Sequence, residues 1–124
     1  MRNEELDRIL AAAKPRLAAH WSACIEHGLA GFSLAAAEQV DQRIAAYFTA
    51  LKALPDPAAK SAILEEIKTL FGALDQVNAA AGGGLLETDE RELLVPLIIE
   101  AATAAGLDAA EFEGGDPTFE FRNF

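Results

Sequence analysis

Glu87-Thr88-Asp89-Glu90-Arg91-Glu92-Leu93-Leu94-Val95-Pro96-Leu97-Ile98-Ile99-Glu100-Ala101-Ala102-Thr103-Ala104-Ala105-Gly106-Leu107 decides the fold. An acidic opening runs into the most apolar segment of the chain. At about 100° per residue, its apolar side chains cover well over half of a helical wheel, and only Glu92, Pro96, Glu100 and Thr103 form a polar stripe. A helix apolar most of the way round is normally wrapped by other elements, so this is the helix the others are expected to pack onto. Either Thr88 or Asp89 can cap its start, and Asp89 with Glu92 has the spacing of a capping box. Pro96 predicts a kink. Gly106 is the expected stop, with Leu107 folding back on the last turn.

Three further helices are expected to enclose it. The first runs from about Asn3 to His27, with Leu6, Leu10, Ala13, Leu17, Trp21 and Cys24 along one side. Pro15 lies inside that pattern and predicts a kink or two shorter helices. Ser33 is a good N-cap for the second, Leu34 to Leu54, whose apolar face is Ala37, Val40, Ile44, Tyr47, Phe48, Leu51 and Leu54. Asp56-Pro57 reads as a start signal for the third, Pro57 to about Ala80. Ile63, Ile67, Leu70, Leu74 and Val77 then recur at bundle spacing, widened by Leu64 and Phe71. Asn78 is expected to satisfy a helix terminus. Gly82-Gly83-Gly84 forms the loop into the organising helix. No Gly-Lys-Ser/Thr follows it and no strand precedes it, so phosphate binding is not expected there. The expected fold is all-α, a roughly antiparallel four-helix bundle in one domain, closed by a short C-terminal helical turn or extension.

The 124 residues are 52% apolar, which argues against disorder. No 18-residue apolar run exists, so no helix is built to span a membrane. The N-terminus Met1-Arg2-Asn3-Glu4-Glu5 lacks a signal-peptide layout, and Cys24 is the only cysteine. Both point to a reducing, cytoplasmic setting. The net charge is −10, and residues 82–124 hold ten acidic against two basic side chains. Such a chain is poorly suited to nucleic acid. Its last third would attract a basic protein surface, although solubility alone also accounts for the charge.

His20, Cys24 and His27 share one side of the first helix at spacings of four and three, and imidazole and thiolate are zinc ligands. A fourth ligand would have to come from an acidic side chain elsewhere. The competing reading is a packed cysteine flanked by two ordinary histidines, and on balance neither a metal nor another cofactor is expected. A Cys–His nucleophile lacks room for a substrate and an orienting third group. Ser22, Ser33 and Ser61 lie in no nucleophile motif. The crowded Glu87, Asp89, Glu90 and Glu92 fit helix capping, and Glu100 falls on the polar stripe. No Glu-x-x-His pair exists for a di-iron site. An enzyme is therefore not expected.

Glu87-Thr88-Asp89-Glu90-Arg91-Glu92-Leu93, the ending Ala105-Gly106-Leu107, and the tail from Gly115 to Arg122 (Gly-Asp-Pro-Thr-Phe-Glu-Phe-Arg) together resemble small uncharacterised acidic bacterial proteins. Some of these are grouped with immunity proteins of bacterial toxins. The resemblance covers about the last third of the chain and brings no site residues. It implies an acidic binding protein. The candidate partner-binding residues are then Glu87, Asp89, Glu90, Glu100, Glu111 and Glu113, with the tail aromatics Phe119, Phe121 and Phe124. These phenylalanines either dock on the bundle or meet a partner. A homodimer through an uncovered helix face is the other structural possibility.

Overall fold

Alanine-rich amphipathic segments separated by glycine and proline resolve into four helices in the computed structural model, which describes residues 1–124. They are α1 (Arg2–Glu26), α2 (Leu34–Ala53), α3 (Lys60–Ala80) and α4 (Thr88–Ala105), followed by three 3₁₀ turns at Ala109–Glu111, Glu113–Gly115 and Phe119–Phe121. The helices form an antiparallel bundle with short connections and no strand. Successive helices are neighbours, α4 closes against α1, and α2 also meets α4 across the diagonal.

The expected apolar faces are the buried ones. Leu97 is 4% exposed and Ile98 is fully enclosed, while Glu92, Pro96, Glu100 and Thr103 face water. The diagonal contact carries a polar tie: the Tyr47 hydroxyl donates to the Ile98 carbonyl at 2.9 Å inside the core. Burial pushes the Tyr47 pKa far upward, so this group stays a donor. At the opposite terminus of α2, Ser33 accepts the Ala36 N–H as the expected cap. The Arg2 guanidinium satisfies the carbonyls of Lys52, Leu54 and Pro55 where α2 ends, a cation placed where the helix dipole favours one.

Three expectations are corrected. Pro15 does not split α1, which is one helix of 25 residues; proline lacks only one hydrogen bond, and the packing on both sides of it holds the helix together. Pro96 also lies inside a single helix, α4. Asp56-Pro57 does not start α3. Its peptide bond is cis, it belongs to a turn that carries Ala58 against the core, and the helix begins after an extended Ala59. The N-cap of α4 is Glu87, and Glu90 rather than Glu92 reaches back to it. Leu85 and Leu86, both buried, fix where the chain enters that helix.

The C-terminal end of α4 behaves as read. Gly106 takes a left-handed φ of 119°, and Leu107 donates back to the Ala102 carbonyl with its side chain buried. Asn78 does not satisfy a helix terminus as expected: its Oδ1 accepts the loop N–H groups of Leu85 (3.0 Å) and Leu86 (2.9 Å), tying the glycine loop to the end of α3. The α1–α2 linker passes against this loop at Gly31. A β-carbon there would meet the Ala81 carbonyl oxygen at 3.1 Å and the Leu85 nitrogen at 3.3 Å, at a φ of 85°. Glycine is required by both space and backbone.

Candidate functional site

The α1–α4 contact places His20 and Cys24, one helical turn apart, opposite Glu90 in the first turn of α4. Glu90 is 5% exposed, the one buried carboxylate. Both of its oxygens are used: Oε1 accepts the Glu87 N–H at 3.0 Å, and Oε2 accepts from His20 Nε2 at 2.7 Å. An ionised carboxylate only accepts, so the His20 tautomer that completes this bond is the one with its proton on Nε2. Cys24 Sγ lies 3.5 Å from the same nitrogen. The imidazole is held edge-on against Trp21 and Phe32, with ring centroids 5.2 and 6.4 Å away. Trp21 is itself fixed by donating to Asp41 at 3.0 Å. Cys24 and Glu90 also line an open cleft of about 340 Å³ between the α1–α2 linker and the start of α4, with Leu29, Phe32, Glu87 and Asp89 around it.

Burial, reinforced by Glu90 and Asp89, raises the Cys24 pKa above that of an ordinary thiol. That is the opposite of what a nucleophilic cysteine needs. The fold does not assemble the candidate trio of His20, Cys24 and His27. His27 is exposed at the C-cap of α1, and Glu90 takes its place in the cluster. Glu90 is likewise removed from the exposed partner-binding candidates. A signal for this was present: Glu90 is in phase with Leu94, Leu97, Ile98 and Ala101, the buried face of α4.

The other candidates lie on α4 and the tail. Glu87, Asp89, Glu100 and Glu113 are exposed, and Glu111 is exposed but paired with Lys60. The tail lies along α3 and separates its aromatics. Phe121 and Phe124 are half-buried against the core, Phe124 beside Phe71 at 5.6 Å between ring centroids. Phe119 is 73% exposed, with the Arg122 guanidinium 5.6 Å from its ring centroid. The segment is locked by Asp116, which accepts from the Thr118 hydroxyl, from the Thr118 N–H at 2.8 Å and from Arg122 at 2.7 Å. Burial alone would raise the Asp116 pKa, but the Thr118 bonds and the Arg122 guanidinium outweigh it and hold the carboxyl below its usual range. Between the turns lies a cleft of about 550 Å³, bordered by Phe112, Glu113, Phe119 and Glu120.

No helix is long and apolar enough to cross a membrane. Comparison with protein-family models, with curated proteins and with solved structures gives no match to this chain.

Proposed function

We propose that this is a non-enzymatic binding protein of the cytoplasm whose acidic C-terminal cap docks a basic segment of a protein partner. An immunity-like inhibitor is its concrete form. The observation that carries the reading is Phe119. It alone of the three tail phenylalanines is largely exposed, and it borders a cleft flanked by Glu113 and Glu120. An arginine or lysine side chain entering that cleft meets carboxylates and an aromatic face together, a pairing that favours cations. Arg122, already poised over the ring, is an intramolecular example of the same contact. The surplus of acidic residues in 82–124 supports the reading by steering a basic surface toward this end of the sequence.

The test is capture from native lysate with wild type and with Phe119→Ala/Glu120→Gln, at low and at high salt. A basic protein retained by wild type at low salt, released by salt and not held by the variant is the expected result. A captured set identical for both proteins at both salt concentrations would sink the reading. Sizing chromatography of the same samples separates a heteromeric partner from a second copy of this chain.

A further inference from the structure

Between α1 and α4 lies a cluster that the docking reading does not use. We propose that His20 Nε2, Cys24 Sγ and Glu90 Oε2 form a site for a single zinc ion, with its fourth position open to the cleft at the start of α4. The three ligand atoms, from two helices, all lie within 4.8 Å of one another. They are an imidazole nitrogen, a thiol sulfur and a carboxylate oxygen, the three donor types zinc accepts.

Zinc bond lengths of about 2.05 Å to nitrogen and 2.3 Å to sulfur give a tetrahedral N–S edge of about 3.6 Å, close to the 3.5 Å between Cys24 Sγ and His20 Nε2. The corresponding N–O edge is about 3.3 Å, against 2.7 Å between His20 Nε2 and Glu90 Oε2. That pair therefore separates by about 0.6 Å as the ion replaces the proton it now shares. On binding, the Cys24 thiol proton leaves to solvent and His20 moves its proton to Nδ1, freeing Nε2. Glu90 exchanges its bond from His20 for a bond to the ion.

The surroundings suit this exchange. Glu90 Oε1 stays anchored to the Glu87 N–H, which aims Oε2, and Trp21 and Phe32 fix the plane of His20. Such supports set the orientation of ligands and strengthen a metal site. Thiolate and carboxylate together neutralise the ion, while Glu87 and Asp89 at the cleft make its approach favourable. Only one of the three donors is oxygen, so magnesium and calcium, which demand oxygen ligands, are excluded. Three protein ligands with a fourth position facing a cleft match sites that hold water or a further ligand, rather than the closed structural kind.

The experiment uses the full chain, stripped with chelator and titrated with Zn²⁺, Co²⁺ and Mg²⁺. Expected are one equivalent of zinc, a rise in melting temperature with Zn²⁺ and not with Mg²⁺, and, with Co²⁺, the near-ultraviolet sulfur-to-metal band of a thiolate ligand. Cys24→Ser removes the band. Glu90→Gln, which keeps an oxygen for the Glu87 N–H, weakens zinc by more than about tenfold. His27→Ala binds as wild type does. Helicity by circular dichroism confirms that each variant is folded. Absence of stoichiometric binding by wild type, or affinity unaltered by both Cys24→Ser and Glu90→Gln, overturns the proposal.

Discussion

Asp116 and Glu90 are both carboxylates drawn largely out of water, yet one is satisfied by its own segment and the other by a helix 70 residues away. Asp116 receives three donors from Thr118 and Arg122, all within six residues. Both of its oxygens are engaged, and the guanidinium neutralises it on the spot. Glu90 has one backbone donor beside it and then depends on His20, whose Nε2 is also the point Cys24 faces. The first arrangement is closed and serves to fasten the tail. The second converges several ligating atoms on one position next to a cleft and leaves room for a further group. Burial by itself therefore does not mark a functional carboxylate; the pattern of its donors does.

The sharpest way to break that contrast is Arg122→Met. It leaves Asp116 desolvated with no counter-charge and is expected to reduce unfolding stability by about 2 kcal/mol in urea titration. The melting response to zinc should be unaffected. A loss below about 0.5 kcal/mol would mean the tail is held by its phenylalanines alone. Glu90→Gln is the counterpart. It trades a charge-assisted bond for a neutral one and is expected to cost about 1 kcal/mol, while removing most of the stabilisation zinc confers.

Acid separates the two sites by another route. The Asp116 pKa is depressed in the folded state, so its contribution is fully present above the ordinary aspartate value of about 3.9 and is lost only as pH falls through the lower folded value. The stability gap between wild type and Asp116→Asn should be flat from neutral pH to about 5 and close below about pH 4. A gap that already closes between pH 7 and 5 would contradict the lock. The smallest effect belongs to Phe119→Ala, expected within about 0.5 kcal/mol of wild type because the ring is solvated. Phe124→Ala, with its ring against Phe71, should lose distinctly more.

The helices and their buried faces were legible because each repeats over several turns, long enough for the period to outvote single residues such as Pro15. Termini were less so. The start of α4 depends on where buried Leu85 and Leu86 dock, a tertiary contact with no local signature. The candidate cluster was half legible. His20 and Cys24 share a face by helical spacing alone, whereas Glu90 joins them through the register of α4 against α1, which side-chain packing sets. Its phase with Leu94 and Leu97 was visible, but its charge made capping the natural reading. Among the tail aromatics, nothing in the sequence revealed which ring stays outside. That is decided by a 3₁₀ turn at Phe119–Phe121 which directs Phe121 inward and Phe119 out.

Asn78 holds the far side of the glycine loop through two backbone donors, while Gly82 and Gly83 project into open space. With both anchors outside the interval, extra residues spliced after Gly83 lengthen a closed loop at an entropic penalty of only about 0.6 kcal/mol per doubling. The bundle thus offers a built-in mounting point, where a fluorophore or affinity handle can be carried beside α4 without entering its packing.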